Sequence, residues 1–345
     1  MSGGAWQVEA AHGRGALEAL LADWRELEGR CASITPFQSP EWLLPWWHCF
    51  GHGELRVVSV RCGGVLHALV PLLVEQTASG RRVTLLGTGN TDHLDALVAD
   101  DAREAAGALA VAGLARLLGD GDRCDLEQLG PESPLLTVPA PAAWQWETRQ
   151  CDVCPVLRLP PSVREVPDVV PPRLLANLRY ARRRIERLGP VCVERASPEN
   201  LPELLGALFA LHRARWAARG LPGVLGDDVV RAFHERVAEG FLARGVLRMY
   251  ALRVAGRIVA VYYGFSWKAR TYYYLGGFEP SFASCSVGSL LVEHAIHEAV
   301  REGVPEFDFL RGGEPYKYRW GATDRPSYRR TLRRAAAAAA GREAA

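Results

Sequence analysis

One segment of this sequence occurs twice. LRVVSVRCGG at residues 55–64 aligns without a gap with LRMYALRVAG at residues 247–256, and the leucine, both arginines and the last glycine coincide. Each copy reads as a β-rich run that ends in a glycine-containing hairpin turn. The same order of predicted elements follows each copy, so the sequence predicts an internal duplication of a β-β-β-α-β unit.

The elements that support the duplication are read from hydrophobic periodicity and from helix start and stop signals. In the first half the predicted strands and helix are, in order, 55–61, 65–74, 82–87, helix 102–118 and 125–129. In the second half they are 246–254, 257–267, 271–278, helix 289–302 and 306–310. Helices are also predicted over 17–27 in the first half and over 201–218 and 227–244 in the second. The fold class is therefore α/β, of the α+β type with a mixed sheet.

The length of 345 residues favours two domains. Residues 159–172 (LPPSVREVPDVVPP) are too rich in proline for a helix or a central strand and read as a linker. We therefore expect an N-terminal domain over 1–158, a C-terminal domain over 173–334 and an alanine-rich tail over 335–345.

Composition and sequence patterns argue against several classes of protein. Hydrophobic residues make up 48% and charged residues 23%, which is typical of a folded chain. No apolar run is long enough for a membrane helix and the N-terminus does not resemble a signal peptide, so a soluble cytoplasmic protein is expected. Eight cysteines are too sparse for a disulfide scaffold. Cys151-Asp152-Val153-Cys154 lacks a second pair at zinc-finger spacing, and no metal site is predicted.

Charge is distributed unevenly along the chain. Residues 1–150 carry 11 basic and 19 acidic side chains, whereas residues 151–345 carry 30 basic and 20 acidic ones. The second half is therefore expected to prefer anions. Only Lys268 and Lys317 are lysines, a bias that GC-rich codons explain as well as arginine chemistry does.

The most informative stretch runs from Tyr272 to Tyr318. A predicted strand enters a loop of small residues, the loop leads into a helix, and a second strand returns parallel to the first. The unpaired N–H groups at the start of such a helix can hold a pyrophosphate. PSFASCSVGSLLVEHAI and FDFLRGGEPYKYRWG in this stretch resemble the GNAT acyltransferase superfamily. The resemblance is closest to its two-GNAT-domain branch, which contains the CelD-type proteins of cellulose and exopolysaccharide operons and is related to the Fem aminoacyltransferases.

This resemblance implies tandem GNAT-like domains, of which the first is degenerate and the second holds an acyl-CoA. The pantetheine arm would enter between two splayed parallel strands, and the loop before the central helix would bind the pyrophosphate. The residues implied in donor binding are Tyr274, Leu275, Gly276, Ser284, Cys285, Ser286, Val287, Gly288 and Ser289. The sequence departs from the family pattern here, because the loop has neither the basic residue nor the closely spaced glycines of the usual signature.

Three residues after the last predicted strand are candidates for catalysis. Glu314 follows the carboxyl end of a parallel strand, where a cleft is expected, and is the candidate general base. The resemblance implies that Lys317 binds an anion or stabilises the oxyanion, and that Tyr316 gives a proton to the leaving thiolate. A solvated glutamate, a surface lysine and a core tyrosine are the alternative interpretations.

The acceptor site is predicted from both halves. Gly87-Thr88-Gly89-Asn90-Thr91-Asp92-His93-Leu94-Asp95 resembles a Gly-rich, Asp-containing segment of the family, which implies that Asp92 and Asp95 bind the amine and that His93 relays a proton. Trp216 matches a family position near the acceptor cleft. Arg311 directly follows the last predicted strand and is a candidate contact for phosphate or substrate.

Together these features predict an N-acyltransferase, most simply an N-acetyltransferase. It would move an acyl group from acyl-CoA by direct attack of a primary amine on a small molecule, an amino sugar or a cell-envelope or polysaccharide precursor. Two alternatives stay open: a Fem-like enzyme that uses aminoacyl-tRNA, and a non-catalytic accessory protein of polysaccharide synthesis. DNA is not an expected partner, tRNA is expected only under the first alternative, and neither the acceptor nor the oligomeric state is predicted.

Overall fold

The structure is a computed structural model that describes residues 4–78, 80–217, 220, 223 and 225–335, without the side chain of Arg215. The first strands and helices in chain order are β1 (Trp6–His12), α1 (Arg14–Glu18), α2 (Leu21–Gly29), α3 (Pro40–Phe50), β2 (Glu54–Cys62), β3 (Val65–Thr77), β4 (Gly80–Leu85), β5 (Leu97–Val98), α4 (Arg103–Leu117), β6 (Arg123–Leu129), α5 (Pro134–Thr137) and β7 (Trp144–Arg158). They are followed by α6 (Pro172–Glu186), β8 (Val191–Arg195), α7 (Leu201–Ala217), α8 (Asp228–Ala243), β9 (Leu247–Val254), β10 (Arg257–Trp267), β11 (Arg270–Phe278), α9 (Val287–Arg301), β12 (Glu306–Asp308), α10 (Pro315–Tyr318) and β13 (Thr323–Arg334).

The chain forms two compact units. Unit 1 contains residues 1–152 and 326–345, and unit 2 contains residues 153–325. The predicted tail falls mostly on residues 336–345, which lie outside the described residues.

Unit 1 is built on a sheet in which β1, β2, β3, β4, β6 and β13 are neighbours in that order. Strands β4 and β6 pair in parallel, whereas the other neighbouring pairs, and β5 on β3, are antiparallel. Helix α4 connects the parallel pair and buries its small residues against β2 and β3. Because Ala106, Ala110 and Gly113 have almost no side chain, the helix can approach the sheet closely.

Unit 2 repeats the arrangement with residues 153–158 of β7, then β12, β11, β10, β9 and β8 as neighbours. Here β11 and β12 form the parallel pair, and α9 connects them. One face of α9 is buried against β9 and β10 through Leu291, Ala295 and Ile296 among others. Helices α7 and α8 follow β8 in the chain, and α7 contacts β10 and β11.

The two copies of the repeated segment form equivalent hairpins. Gly63 and Gly64 connect β2 to β3, and Ala255 and Gly256 connect β9 to β10. All four residues have positive φ, between 48° and 85°. Two consecutive positive φ angles define the type I′ turn, whose twist matches that of the flanking strands. The duplication predicted from the sequence therefore corresponds to the same β-β-β-α-β order in both units.

The segment predicted to be a linker is part of unit 2. Leu159, Val166 and Val170 are buried in the core of that unit, so residues 159–172 cover the sheet instead of separating two domains. The chain passes from unit 1 to unit 2 within β7 and returns within β13. The expected boundary at 158 and the expected C-terminal domain over 173–334 therefore differ from the compact units, because the last strand belongs to unit 1 from Pro326 onward.

Candidate active site

The parallel strands of unit 2 separate after a short pairing. Strands β11 and β12 pair at three positions, the last of which joins Tyr272 to Asp308. Strand β11 then continues to Phe278 along β10, whereas the backbone N–H of Phe309 donates to Pro155 O at 2.9 Å. Within the described residues, no strand pairs with this edge of β11 beyond Tyr272. We call the gap between residues 273–278 and the segment that begins at Phe309 the wedge.

A β-bulge lies in β11 beside the wedge. Tyr263 of β10 is opposite Leu275, but the next residue, Gly264, is opposite Tyr273, so Tyr274 is the extra residue. A bulge leaves a backbone group of the extra residue out of the ladder. Tyr274 was one of the residues predicted to contact the donor, and the bulge places it where β11 separates from β12.

The start of α9 forms one side of a cavity. Its N-cap residue Ser286 has φ of 49°, and no side chain caps the helix. The N–H groups of Ser289 and Leu290 bond to Ser286 O, so those of Val287 and Gly288 precede the first intrahelical bonds. The first turn contains no acidic residue. Unused N–H groups at the positive end of a helix dipole suit a phosphate.

The cavity has a volume of about 470 Å³ and contains four of the predicted donor residues. We call it the donor cavity; its lining residues are Tyr273, Phe278, Ala283, Ser286, Val287, Gly288, Ser289, Val292, Pro315, Tyr316, Arg319 and Trp320. Because Gly288 has no side chain, it leaves space in the donor cavity. A Cβ on Gly288 would have Phe278 at 3.5 Å as its nearest contact, so the fold tolerates a side chain there, but that side chain would enter the cavity.

Tyr316 and Arg319 bring polar groups to the same cavity. They lie three residues apart around α10, the spacing that places two side chains on one helical face. Tyr316 is 38% exposed and was a predicted catalytic residue. Arg319 was missed, although its spacing from Tyr316 could have indicated it. It supplies a cation that the loop before α9 lacks.

Lys317 points away from the donor cavity. Its ammonium, on a side chain with 4% exposure, donates to Leu310 O at 3.0 Å, Arg311 O at 2.8 Å and Gly312 O at 2.9 Å. Glu314 Oε2 lies 2.8 Å from the same nitrogen. All three N–H groups of an ammonium are thus directed at the loop after β12 and at Glu314. This geometry favours a structural role for Lys317 over the predicted contact with an oxyanion.

The remaining predicted donor residues lie near the cavity but contribute little through their side chains. Cys285 is buried in the core, and Ser284 is exposed. A Cβ on Gly276 would lie 2.5 Å from the hydroxyl of Tyr273, so a side chain there would displace that hydroxyl. Leu275 lies beside Gly276 on β11. Only the backbone of these β11 residues faces the wedge.

Trp216 lies at the end of α7, in contact with the buried His212. Its indole N–H donates to Nε2 of His212 at 2.9 Å. His234 of α8 is packed against the rings of Tyr263 and Tyr274. Burial, with a smaller effect from His212, lowers the pKa of His234 to about 3, so this imidazole is neutral at physiological pH. The predicted Trp216 therefore lies on a helix that packs against β11.

The predicted residues of the first half lie in unit 1, where most of their loop is held by its own contacts. Trp42 donates to Thr91 Oγ1 and Gln38 donates to the carbonyl of His93. Asp95 Oδ1 accepts from the hydroxyl of Ser133 and from the N–H of Ala96, each at 2.8 Å. Desolvation raises the pKa of Asp95 to about 7. Asp92, between these residues, is partly exposed.

Comparisons with known proteins agree with this arrangement. Residues 172–318 match the family described as "Acetyltransferase (GNAT) domain". A solved structure described as FemX is 9% identical, with 93% of this chain and 96% of that chain covered and a TM-score of 0.64. A conserved protein of unknown function from Bacteroides thetaiotaomicron is 13% identical, with coverages of 90% and 97% and a TM-score of 0.59. None of the curated proteins matches significantly.

Unit 2 therefore carries, over residues 172–318, the acetyltransferase domain of GNAT-type N-acyltransferases. The whole chain has the fold of FemX, which extends the likeness over both units. The narrower resemblance to CelD-type proteins stays a prediction. Among the described residues, no helix is long and apolar enough to cross a membrane, and no cluster of three metal-ligating side chains occurs.

Proposed function

We propose that the protein transfers an acyl group, in the simplest case acetyl, from acyl-CoA to a primary amine. The wedge carries this proposal, because it leads from the bulge at Tyr274 to the donor cavity at the start of α9. A slim thioester arm fits between separated strands, and its phosphates fit the helix terminus. The proposed acceptor is an amine on a small molecule, an amino sugar or a cell-envelope precursor, and the proposed location is the cytoplasm.

The phosphates of the donor need positive charge, which α9 supplies only in part. Val287 and Gly288 offer backbone N–H groups, and Ser286 and Ser289 offer hydroxyls. Arg319 adds a full charge on the facing wall of the donor cavity. A charge-assisted bond from a guanidinium is about twice as strong as a neutral one. We therefore assign to Arg319 the function of the basic residue that is missing from the loop.

The proposed chemistry uses the backbone of β11, Glu314 and Tyr316. The amine attacks the thioester carbonyl, and backbone N–H groups between Tyr274 and Gly276 hold the oxyanion that develops. Glu314, whose exposed carboxylate pairs with Lys317, takes a proton from the amine directly or through a water molecule. Tyr316 gives its phenolic proton to the departing thiolate. The step forms one C–N bond, breaks one C–S bond and needs no covalent enzyme intermediate.

The acceptor is the least defined part of the proposal. Trp216 and Arg311 are proposed contacts within unit 2, and Asp92, His93 and Asp95 are proposed contacts within unit 1. Asp92 and Asp95 are both partly exposed, whereas His93 is buried. Asp92→Asn should raise the KM for the amine, because it removes a negative charge from the proposed contact.

Titration with CoA and acetyl-CoA tests the donor, because a ligand that binds only the folded protein raises its melting temperature with concentration. A screen of amines with acetyl-CoA, read by mass spectrometry, then tests transfer. Tyr316→Phe should lower kcat by about a hundredfold while leaving the affinity for CoA unchanged. Binding of aminoacyl-tRNA in place of any acyl-CoA would move the protein to the Fem-like alternative, and binding of neither would favour the accessory protein.

A further inference from the structure

Unit 1 presents a charged face on the side of its sheet opposite α4. Residues alternate along a strand, so Cys124 and Leu126 of β6 enter the core while Arg123, Asp125 and Glu127 share the other face. On β13 the same alternation directs three more residues to that face: Arg329, Thr331 and Arg333. A cavity of about 200 Å³ opens there, and its lining residues are Arg123, Glu147, Arg149, Arg329, Thr331 and Arg333. We call this surface the arginine face.

A fully buried carboxylate organises the arginine face. Asp125 accepts from Nε of Arg123 at 2.8 Å, from the hydroxyl of Thr331 at 2.8 Å and from Arg329 at 3.1 Å. Nε of Arg82 lies 3.2 Å away. Burial by itself would raise the pKa of Asp125, but the hydrogen bonds from Arg123, Thr331 and Arg329 outweigh it and lower the pKa. The carboxylate is therefore ionised and fixes the guanidinium groups around it.

The arginine face keeps an excess of positive charge. Five guanidinium groups contact three carboxylates on this face. The guanidinium groups belong to Arg82, Arg123, Arg149, Arg329 and Arg333, and the carboxylates belong to Asp125, Glu127 and Glu147. Two positive charges thus stay unbalanced among these groups. Arg123 lines the cavity and reaches Asp125 through Nε, and neither of its Nη groups donates a hydrogen bond within the part of the chain that the structure describes.

We propose that the arginine face is a binding site for a phosphate group on a small molecule. Guanidinium groups bind phosphate through paired, charge-assisted hydrogen bonds, and several that line one cavity are typical of phosphate recognition. The Nη groups of Arg123 and the rim residues Arg149 and Arg333 would be the donors. An RNA backbone fits less well, because Glu127 and Glu147 interrupt the cations along the direction that a polyanion would follow.

The chain builds this surface from two distant parts of its sequence. Residues 1–150 are acidic overall, and two of the four lining arginines, Arg329 and Arg333, come from the last strand. Because β13 belongs to unit 1 from Pro326 onward, it brings cations to an otherwise acidic unit. The site is separate from the donor cavity, whose residues all belong to unit 2.

Isothermal titration of the full-length protein tests the proposal, with inorganic phosphate, diphosphate and glucose 1-phosphate as probes. The double variant Arg149→Gln/Arg333→Gln changes only rim residues that contact Glu147, so folding is expected to be preserved. Its affinity for the best probe should fall at least tenfold, because two charge-assisted contacts are lost. Arg116→Gln, on an exposed position of α4, is the matched control and should bind like the wild type.

The three probes and two further measurements make the outcome decisive. Tighter binding of glucose 1-phosphate than of inorganic phosphate would indicate a phosphorylated organic ligand, and the reverse order would indicate free phosphate. Arg319→Gln should keep this binding, which excludes the donor cavity as its source. The proposal is overturned if the double variant binds as the control does, if no probe binds at about 1 mM, or if a single-stranded RNA binds more tightly than every probe and is lost in the double variant.

Discussion

The two units share one order of elements but differ at the start of their connecting helices. In unit 1, α4 follows Asp100 and Asp101 and carries Glu104 in its first turn. In unit 2, α9 follows a loop of small residues and has no acid in its first turn. Acidic side chains at a helix N-terminus occupy the position that an anion would take. Unit 1 thus places acidic side chains beside this helix start, although none of them caps it, whereas the start of α9 has no acidic side chain in its first turn.

The parallel strands differ in the same way. Strands β4 and β6 also pair at three positions, but the backbone N–H of Leu94 then donates to Gln128 O at 3.0 Å, and the side chain of Leu94 is buried. The chain itself therefore bonds to β6 beyond the last pair. In unit 2 the wedge beside β11 stays open. The two units thus share the β-β-β-α-β order and differ in the segments that follow their parallel strands, and it is this difference on which the proposed donor site depends.

Gly288→Glu breaks this difference most directly, because it places an acid at the second position of α9, where α4 has Glu104. The carboxylate would enter the donor cavity and repel the phosphates of acyl-CoA. We expect kcat/KM for acetyl-CoA to fall about a thousandfold, or about 4 kcal/mol, from steric exclusion and charge together. The melting temperature should not fall, since an acid is favourable at a helix N-terminus.

Gly206→Glu is the matched control for this prediction. Gly206 is an exposed glycine within α7, where an added Cβ meets nothing within 4 Å, so activity should be unchanged. Gly288→Gln separates volume from charge, and should lose less activity than Gly288→Glu. Full activity in Gly288→Glu would show that the start of α9 does not bind the donor.

Lys317→Met tests what keeps the wedge open. The change removes three hydrogen bonds from a buried ammonium and leaves the carbonyls of residues 310–312 without their donor. We expect a loss of about 3 kcal/mol in the unfolding free energy of unit 2, measured by amide hydrogen exchange, and weaker binding of acetyl-CoA. Lys268→Met, at the other and exposed lysine, should change neither quantity. Loss of turnover without any loss of stability would instead favour the oxyanion role.

The repeated elements could be predicted from the sequence because their signals are local. Alternation along β9 and β10, the glycine at each hairpin and the Asp227 cap of α8 all act within a few residues. The exchange of β13 into unit 1 could not be predicted, because its pairing with β6 joins residues about two hundred positions apart. Helix α3 was missed because it contains Pro45.

The candidate site likewise has parts that local sequence signals indicate and parts that they do not. The helix that starts near Ser289 was predicted from local signals and Tyr316 from the resemblance; both lie beside the donor cavity, and their functions stay predictions. The direction of Lys317 depends on Leu310, whose φ of 59° is rare for a leucine and which no sequence pattern indicates. Whether a strand pair stays closed, as beside Leu94, or opens, as at Tyr273, depends on contacts made only in the folded chain.

The buried His234 predicts that the stability of unit 2 falls in acid. Because its pKa is about 3 in the fold and about 6.5 in an unfolded chain, the unfolded state gains a proton first as the pH falls. Unit 2 should therefore lose about 2 kcal/mol of stability between pH 7 and pH 4.5, and His234→Phe should remove most of that slope. Hydrogen exchange in β10 measures it. His297→Gln, at an exposed position of α9, should keep the slope of the wild type.

Asp95 predicts that the stability of unit 1 also depends on pH, with the opposite sign and a smaller magnitude. Its pKa is about 7 in the fold and about 3.8 when unfolded, so the native state holds a proton that the unfolded state has lost. Stability is present in full below about pH 4 and declines as the pH rises through 7. Since Asp95 is partly exposed, we expect a loss of only about 1 kcal/mol between pH 5 and pH 8, read from hydrogen exchange in β6. Asp95→Asn keeps the oxygen that accepts from Ser133 and Ala96 and should abolish the decline, whereas Asp120→Asn, at an exposed site, should retain it. An equal slope in Asp95→Asn and wild type would place this carboxylate in water and reopen its predicted contact with the acceptor amine.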